Sequence, residues 1–420
     1  MQALTHRRQP IHTVYGGAHL FRADTAPRLG ATALRVLQEY GGDPDTLGAA
    51  VGIEPTAAAA IYSRIVEKLQ REPVEDFRLD FEDGYGNRSD AEEDGHAASA
   101  AREVAAGLKA RTLPPFIGIR IKSLSGEVVE RAVRTAELFL RTLLDETGGT
   151  LPPNFVVTLP KITSRAEVSS LVRLLATIES ERRLQAGSLG IELMVETPQS
   201  IFDQRGVAAL PALVLAGDGR VVGAHFGTYD YTASLGITAA HQHMRHPACD
   251  FARQVMQVAL AGTGVWLSDG ATHVLPVAGH RAGDGAALTA EQHAENRAAV
   301  HRAWKQHHDD IRHSLVNGYY QGWDLHPAQL VTRYAAVYGF FLESLDAASE
   351  RLRNFIAKAA QATLVGEVFD DAATGQGLLN FFLKALNCGA VREQDIEALT
   401  GLTLDELRSA SFAKIVNGRI

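Results

Sequence analysis

Residues 79–86 read LDFEDGYG, an aliphatic opening that breaks into three carboxylates, Asp80, Glu82 and Asp83, and two glycines. On an extended chain successive side chains point to opposite faces, so Leu79 and Phe81 share one face while Asp80 and Glu82 share the other. Asp83 falls at the strand's end. Two carboxylates on one face of a core strand are costly to bury unless a cation, an arginine or several hydrogen-bond donors satisfy them. The stretch therefore predicts a strand whose polar face ends in a charged site.

Other segments repeat the form. FIGIRIK at 116–122 sets Arg120 and Lys122 opposite Ile117, Ile119 and Ile121, and IELMVETPQ at 191–199 sets Glu192, Met194 and Glu196 on one side. VVGAHFGTYDY, from Val221, ends with Gly227 and Asp230. Further strands are expected within Ile11 to Phe21, at Phe155 to Leu159, at Val265 to Leu267 and near Tyr319 to Leu325. Helical spacing predicts helices over Ala26 to Tyr40, Pro55 to Gln70, Ala91 to Ala110, Glu127 to Leu144, Arg165 to Arg183, Asp250 to Leu260 and Arg297 to Val316. Asp43 to Gly52 reads as a loop or short turn.

Short aliphatic runs alternating with helices mean parallel strands joined by helical crossovers. About eight such units, with no G-x-G-x-x-G after an early strand, favour a closed (β/α)8 TIM barrel over an open doubly wound sheet. The expected barrel spans residues 1–340, with a Gly-, Ala- and His-rich insertion around 270–296 that could form a lid. Residues 341–420 are expected as additional C-terminal helices. With no strand left to cover, they would pack across the barrel's rim or onto a second subunit, so a homo-oligomer is expected.

The composition narrows the function. A chain of 420 residues, 46% hydrophobic and 21% charged, can bury a large core. Its net charge of −8 offers no basic field for a polyanion, so neither nucleic acid nor an anionic membrane is expected as a partner. Only Cys249 and Cys388 occur, which excludes a disulfide framework. Neither a signal-peptide pattern nor a long apolar run appears, so a cytoplasmic protein is expected.

In a (β/α)8 barrel the chemistry lies at the C-terminal ends of the strands. Glu196 and Asp230 would come from adjacent strand ends, and two carboxylates with few soft ligands suit Mg²⁺ or Mn²⁺ with water and substrate oxygens completing the shell. The competing reading has Glu196 capping the next helix and Asp230 starting a turn. Lys161, ending the fourth strand, invites a Schiff-base aldolase, which the acids weigh against. Twelve of the 16 histidines lie between His225 and His326. His241, His243 and His246 are spaced too tightly for a three-imidazole face on a helix, so a solvated helix start is favoured over zinc. His225 is either a pocket acid–base group or a satisfied core residue; His326 either contacts substrate or holds its loop. Tyr15, Gly16 and Gly17 are placed at the mouth.

The motifs also resemble a family. LDFEDGYG is similar to the LDLEDAV segment of the citrate lyase beta subunit, GIRIKS to its arginine strand, LPKITS to LPKVES, VET to IET, GTYDYTASLG to GxEDLxxDLG and DLHPAQL to IHPxQ. Six matches in order, over roughly Asp76 to Leu330, identify the chain as a member of the HpcH/HpaI aldolase and citrate lyase beta subunit-like superfamily. The resemblance implies Mg²⁺ held by Glu196 and Asp230, and a 2-oxo acid or acyl-CoA gripped by Arg120. It further implies that Glu82 and Asp83 support metal-bound water or orient Arg120, with Asp80, Lys161 and His326 at the substrate. The implied reaction is carbon–carbon cleavage through an enolate, a metal-dependent lyase or aldolase. The alternatives are a catalytically silent barrel acting as a binding or assembly subunit, or a malate-synthase-like condensation or thioester hydrolysis. Departures from the family pattern are Gly84-Tyr85-Gly86 after the acids, Tyr229 where an acid precedes Asp230, and the insertion before the eighth strand. A C-terminal aspartate that some relatives contribute has only Asp370 or Asp371 as a candidate.

Overall fold

Eight short parallel strands, β1 (His12–Gly17), β2 (Asp76–Asp80), β3 (Phe116–Arg120), β4 (Phe155–Leu159), β5 (Gly190–Val195), β6 (Val221–Phe226), β7 (Trp266–Ala271) and β8 (Gln321–Asp324), pair in sequence order. β1 also pairs with β8, closing the (β/α)8 barrel. The structure is a computed structural model that describes residues 8–282, 287–357, 363–365, 368–370, 372–411 and 414–415.

Side-chain alternation sorts the strands into two environments. Ile117, Ile119, Val157, Leu159, Ile191 and Leu193 are fully buried in the layer between strands and helices, where branched side chains pack well on a pleated surface. The other set fills the barrel: Phe116 meets Trp266 across its floor with ring centroids 5.9 Å apart, and Asp76, Arg78, Glu192 and His225 form a buried polar layer above them. Register then decides neighbours. Asp80 of β2 lies beside Arg120 of β3, and Arg120 beside Thr158 of β4.

Three local expectations are corrected. Asp43 to Gly52 is not a loop but contains a helix, Pro44–Val51, capped by the Asp43 side chain accepting the Thr46 N–H at 2.8 Å and ended by Gly52 at φ +86°. β2 stops at Asp80, because the Asp80 carboxylate accepts the N–H groups of Glu82 (3.0 Å) and Gly84 (2.7 Å) and folds the next residues into a turn. Glu82 and Asp83 thus reach the site from that turn rather than by strand alternation. The helix after the insertion begins at Ala290, not Arg297, with Thr289 and Gln292 forming a capping box.

Beyond β8, helix Gln329–Leu342 is followed by helices Leu345–Ala357 and Ala372–Cys388. A two-stranded hairpin, Thr363–Val365 with Val368–Asp370, interrupts a region expected to be helical. The extension meets the barrel's N-terminal face. Lys384 donates to Gln9 Oε1 at 2.8 Å, and Gln9 Nε2 donates to Gln321 Oε1 of β8 at 3.2 Å. Among the described residues no helix is long and apolar enough to cross a membrane.

Candidate active site at the barrel's C-terminal mouth

The C-terminal ends of the strands surround a cavity of about 520 Å³ whose walls include Tyr15, Asp80, Asp83, Arg120, Glu196, Asp230 and Trp323. At its centre Arg120 donates from Nε and Nη2 to the two Asp80 oxygens at 2.7 and 2.6 Å. This fork matches two planar groups and fixes the guanidinium. Its remaining arm, Nη1, lies 3.3 Å from Glu82 Oε2 and 3.9 Å from Asp83 Oδ2. Beneath it are two aromatic rings: the guanidinium carbon is 4.9 Å from the Tyr15 centroid and 6.0 Å from that of Trp323.

Lys161 ties the acids together. Its backbone adopts φ +51°, a left-handed conformation disfavoured for lysine, and this directs its N–H to Glu196 Oε1 at 2.7 Å. Its ammonium bonds Glu82, lies 2.9 Å from Asp83 Oδ1 and is 3.7 Å from Asp230 Oδ1. Burial alone would lower the Lys161 pKa, but the hydrogen bond and charge of Glu82, then those of Asp83, raise it above the usual lysine value. An ammonium held in this way is a poor nucleophile, so the geometry opposes the Schiff-base reading.

Glu196 is fully enclosed, only 2% exposed. Burial above all pushes its carboxyl up to about 8, with the charges of Asp230 and Glu82 adding to the effect against those of Arg120 and Lys161. Burial likewise raises Asp230 and Glu82. Asp83 is lowered instead, because its bonds to Glu82 and Lys161 and the charge of Arg120 outweigh its desolvation. Asp80, Glu82, Asp83, Glu196 and Asp230 are five carboxylates facing two cations, Arg120 and Lys161. That excess of negative charge fits a divalent cation. Among the described residues no three His, Cys, Asp or Glu side chains form a ready ligand cage. Glu196 and Asp230, which both line the cavity, are the acids that could hold an ion here, with its other positions left to water or substrate as is common for Mg²⁺.

Not every expected residue joins the cavity. His326 spends its Nδ1 on the Ala328 N–H at 3.2 Å, while Gln329 Oε1 accepts its backbone N–H; the wall from this loop is Leu325. His246 caps the helix that begins at Pro247, accepting the Ala248 N–H at 3.1 Å, in line with a helix start rather than a zinc cluster. Asp371 and the side chain of Asp370 lie outside the described residues. Tyr229 lines the cavity and donates to Ala271 O at 2.8 Å. Trp323 was not singled out in the sequence, although its alternation with Gln321 places it inside β8. Arg78, sharing a face with Asp76 and Asp80, was legible by the same parity. A second cavity of about 250 Å³ opens at the N-terminal mouth against Asp76, Arg78, Glu192 and His225. These groups already pair with one another, and barrel chemistry belongs at the opposite end.

Fold and site together define a (β/α)8-barrel protein with an acidic, arginine-bearing cavity at its strand C-termini. The chain belongs to the family described as Domain of unknown function (DUF6986), whose pattern matches residues 4–415. No curated protein matches it. A solved citrate lyase from Burkholderia xenovorans LB400 is similar at 18% identity and a TM-score of 0.57, over 93% of this chain and 96% of that one. Haloferax volcanii malate synthase aligns at 14% identity with a TM-score of 0.48, over 96% of this chain and 97% of that one. At this identity the likeness to the citrate lyase is one of fold.

Proposed function

We propose that the protein is a Mg²⁺-dependent carbon–carbon lyase or aldolase of the HpcH/HpaI and citrate lyase beta-like kind, acting on a 2-oxo acid or an acyl-CoA. The observation that carries this reading is the convergence of Glu196, Asp230, Glu82, Asp83 and Lys161 around a forked Arg120 at one barrel mouth. Glu196 and Asp230 are the residues that would hold Mg²⁺ (or Mn²⁺). When bound, the ion supplies Lewis-acid stabilisation of oxygen charge during cleavage. Arg120 binds the substrate carboxylate or developing oxyanion through Nη1, and Asp80 keeps that arm aimed. Tyr15 and Trp323 exclude water from below. The Lys161 ammonium, shared with Glu82 and Asp83 and 3.7 Å from Asp230 Oδ1, holds these acids in place beside the cavity.

The test is calorimetric Mg²⁺ titration of the wild type and of Glu196→Ala, together with Mg²⁺-dependent product release from a panel of 2-oxo acid aldols and acyl-CoA thioesters. The reading predicts a Mg²⁺ isotherm lost in the variant and turnover lost with it. A wild-type protein that binds no Mg²⁺ and cleaves none of the panel would overturn it.

A further inference from the structure

Below the cavity runs a buried polar column that the chemistry above does not use. His225 of β6 is 1% exposed and bonded at both ring nitrogens. Trp323 Nε1 donates to His225 Nδ1 at 3.1 Å, and His225 Nε2 lies 2.9 Å from Glu192 Oε2. An indole N–H can only donate, so Nδ1 must be a bare acceptor; the single proton then sits on Nε2 and is given to Glu192. Glu192 cannot swing away, because Thr158 Oγ1 holds its Oε1 at 2.8 Å and Arg78 Nη2 its Oε2 at 2.5 Å. Arg78, Glu192 and His225 border the cavity at the N-terminal mouth but are themselves 3%, 3% and 1% exposed, so losing either partner leaves a polar group with little solvent to replace it.

What this imidazole fixes is the floor of the site. Trp323 stacks 4.6 Å from Tyr15 at 35°, the Tyr15 hydroxyl lies 3.4 Å from Glu192 Oε1, and both rings carry the Arg120 guanidinium. We propose that His225 is a positioning residue: as a neutral acceptor of the Trp323 N–H it holds the aromatic floor that keeps Arg120 in its anion-binding pose. The proposal rests on the reading of Arg120 as the group that grips the substrate carboxylate.

Two isosteric variants separate the bonds. His225→Asn sets an amide oxygen where Nδ1 was and still accepts from Trp323, whereas His225→Gln sets an amide where Nε2 was and keeps only Glu192. Binding of oxalate, a small dicarboxylate with the oxygens of a 2-oxo acid head, is measured by calorimetry in the intact protein, and thermal melts verify folding. The expected result is affinity within about twofold of wild type for His225→Asn and at least about tenfold weaker for His225→Gln. Equal affinities in the two variants, whether wild-type or weakened, overturn the proposal. Nitrogen-15 spectra of the histidines in the wild type and in Trp323→Phe read the tautomer without any ligand. They are expected to show a bare Nδ1 on His225 that changes when the indole N–H is removed, and a protonated Nδ1 in the wild type overturns the proposal whatever oxalate does. If the wild type binds no oxalate at all, it is the assignment of Arg120 that falls, and the spectra still decide the role of His225.

Discussion

Glu196 is where burial and charge conflict most sharply, and the conflict has a pH signature. Its carboxyl rises from an ordinary 4.5 to about 8 in the fold. A group whose folded value is raised contributes its full stability below 4.5 and loses it as pH climbs through 8, since the unfolded chain then sheds a proton that the folded one retains. Glu196→Gln keeps the shape and the acceptor for the Lys161 N–H but never ionises. In chelator-treated protein the variant is expected to match wild type near pH 4.5, gain progressively through pH 6 and 7, and level off above pH 8 at on the order of 5 kcal/mol. Urea denaturation at several pH values measures this. A stability difference independent of pH would mean that Glu196 is not held neutral by its surroundings.

Among the elements, β3 shows how little room separates neighbouring strands. A Cβ added at Gly118 would stand 2.2 Å from the Val156 carbonyl oxygen and 2.9 Å from its Cγ2. Because the obstacle is partly backbone, relief requires β3 and β4 to move apart. Gly118→Ala is expected to lower unfolding stability by about 2–4 kcal/mol, measured by denaturant titration, and an unchanged midpoint would count against this packing. The same strands mark what the sequence makes legible. Two-residue alternation in β3 and β5 places Arg120, Glu192 and Glu196 inward because every neighbour on the opposite face is aliphatic. The ends of β4 and β6 are also readable, since each apolar run stops at a proline or glycine. Alternation fails where side chains direct the backbone. The Asp80 carboxylate turns the chain that carries Glu82 and Asp83, and the left-handed Lys161 couples two strand ends, neither of which a periodicity can express. Tyr15 and Trp323 become one floor only when β1 pairs with β8, a contact between residues some three hundred positions apart.

For the molecule as a whole, the question is whether residues 341–420 are an accessory to the barrel or part of its core. Helix Gln329–Leu342 has 12 of its 14 residues buried, more than one apolar face against a barrel can account for. Its C-terminal end is covered by the extension: Phe341 meets Phe381 with ring centroids 5.2 Å apart, and Val337 and Phe341 face Lys384 and Cys388 across a small gap. The charged end of the same contact reaches inward, for Lys384 bonds Gln9, which in turn holds Gln321 of β8. Removing the extension would expose the Val337–Phe341 end of this helix and take from Gln9 Oε1 the Lys384 donor, leaving the Gln9 amide nitrogen on Leu267 O and Gln321. Each large side chain uncovered forfeits about 1.5–3 kcal/mol, so losing cover from several exceeds much of the 5–15 kcal/mol that keeps a typical domain folded. A chain ending at Leu342 is therefore expected to aggregate, or to melt at least about 10 °C below the full-length protein, as read by light scattering and calorimetry. A monodisperse truncated barrel with an unaltered melting temperature would show instead that the extension is an appendage, and that the burial of helix Gln329–Leu342 is owed to the barrel alone.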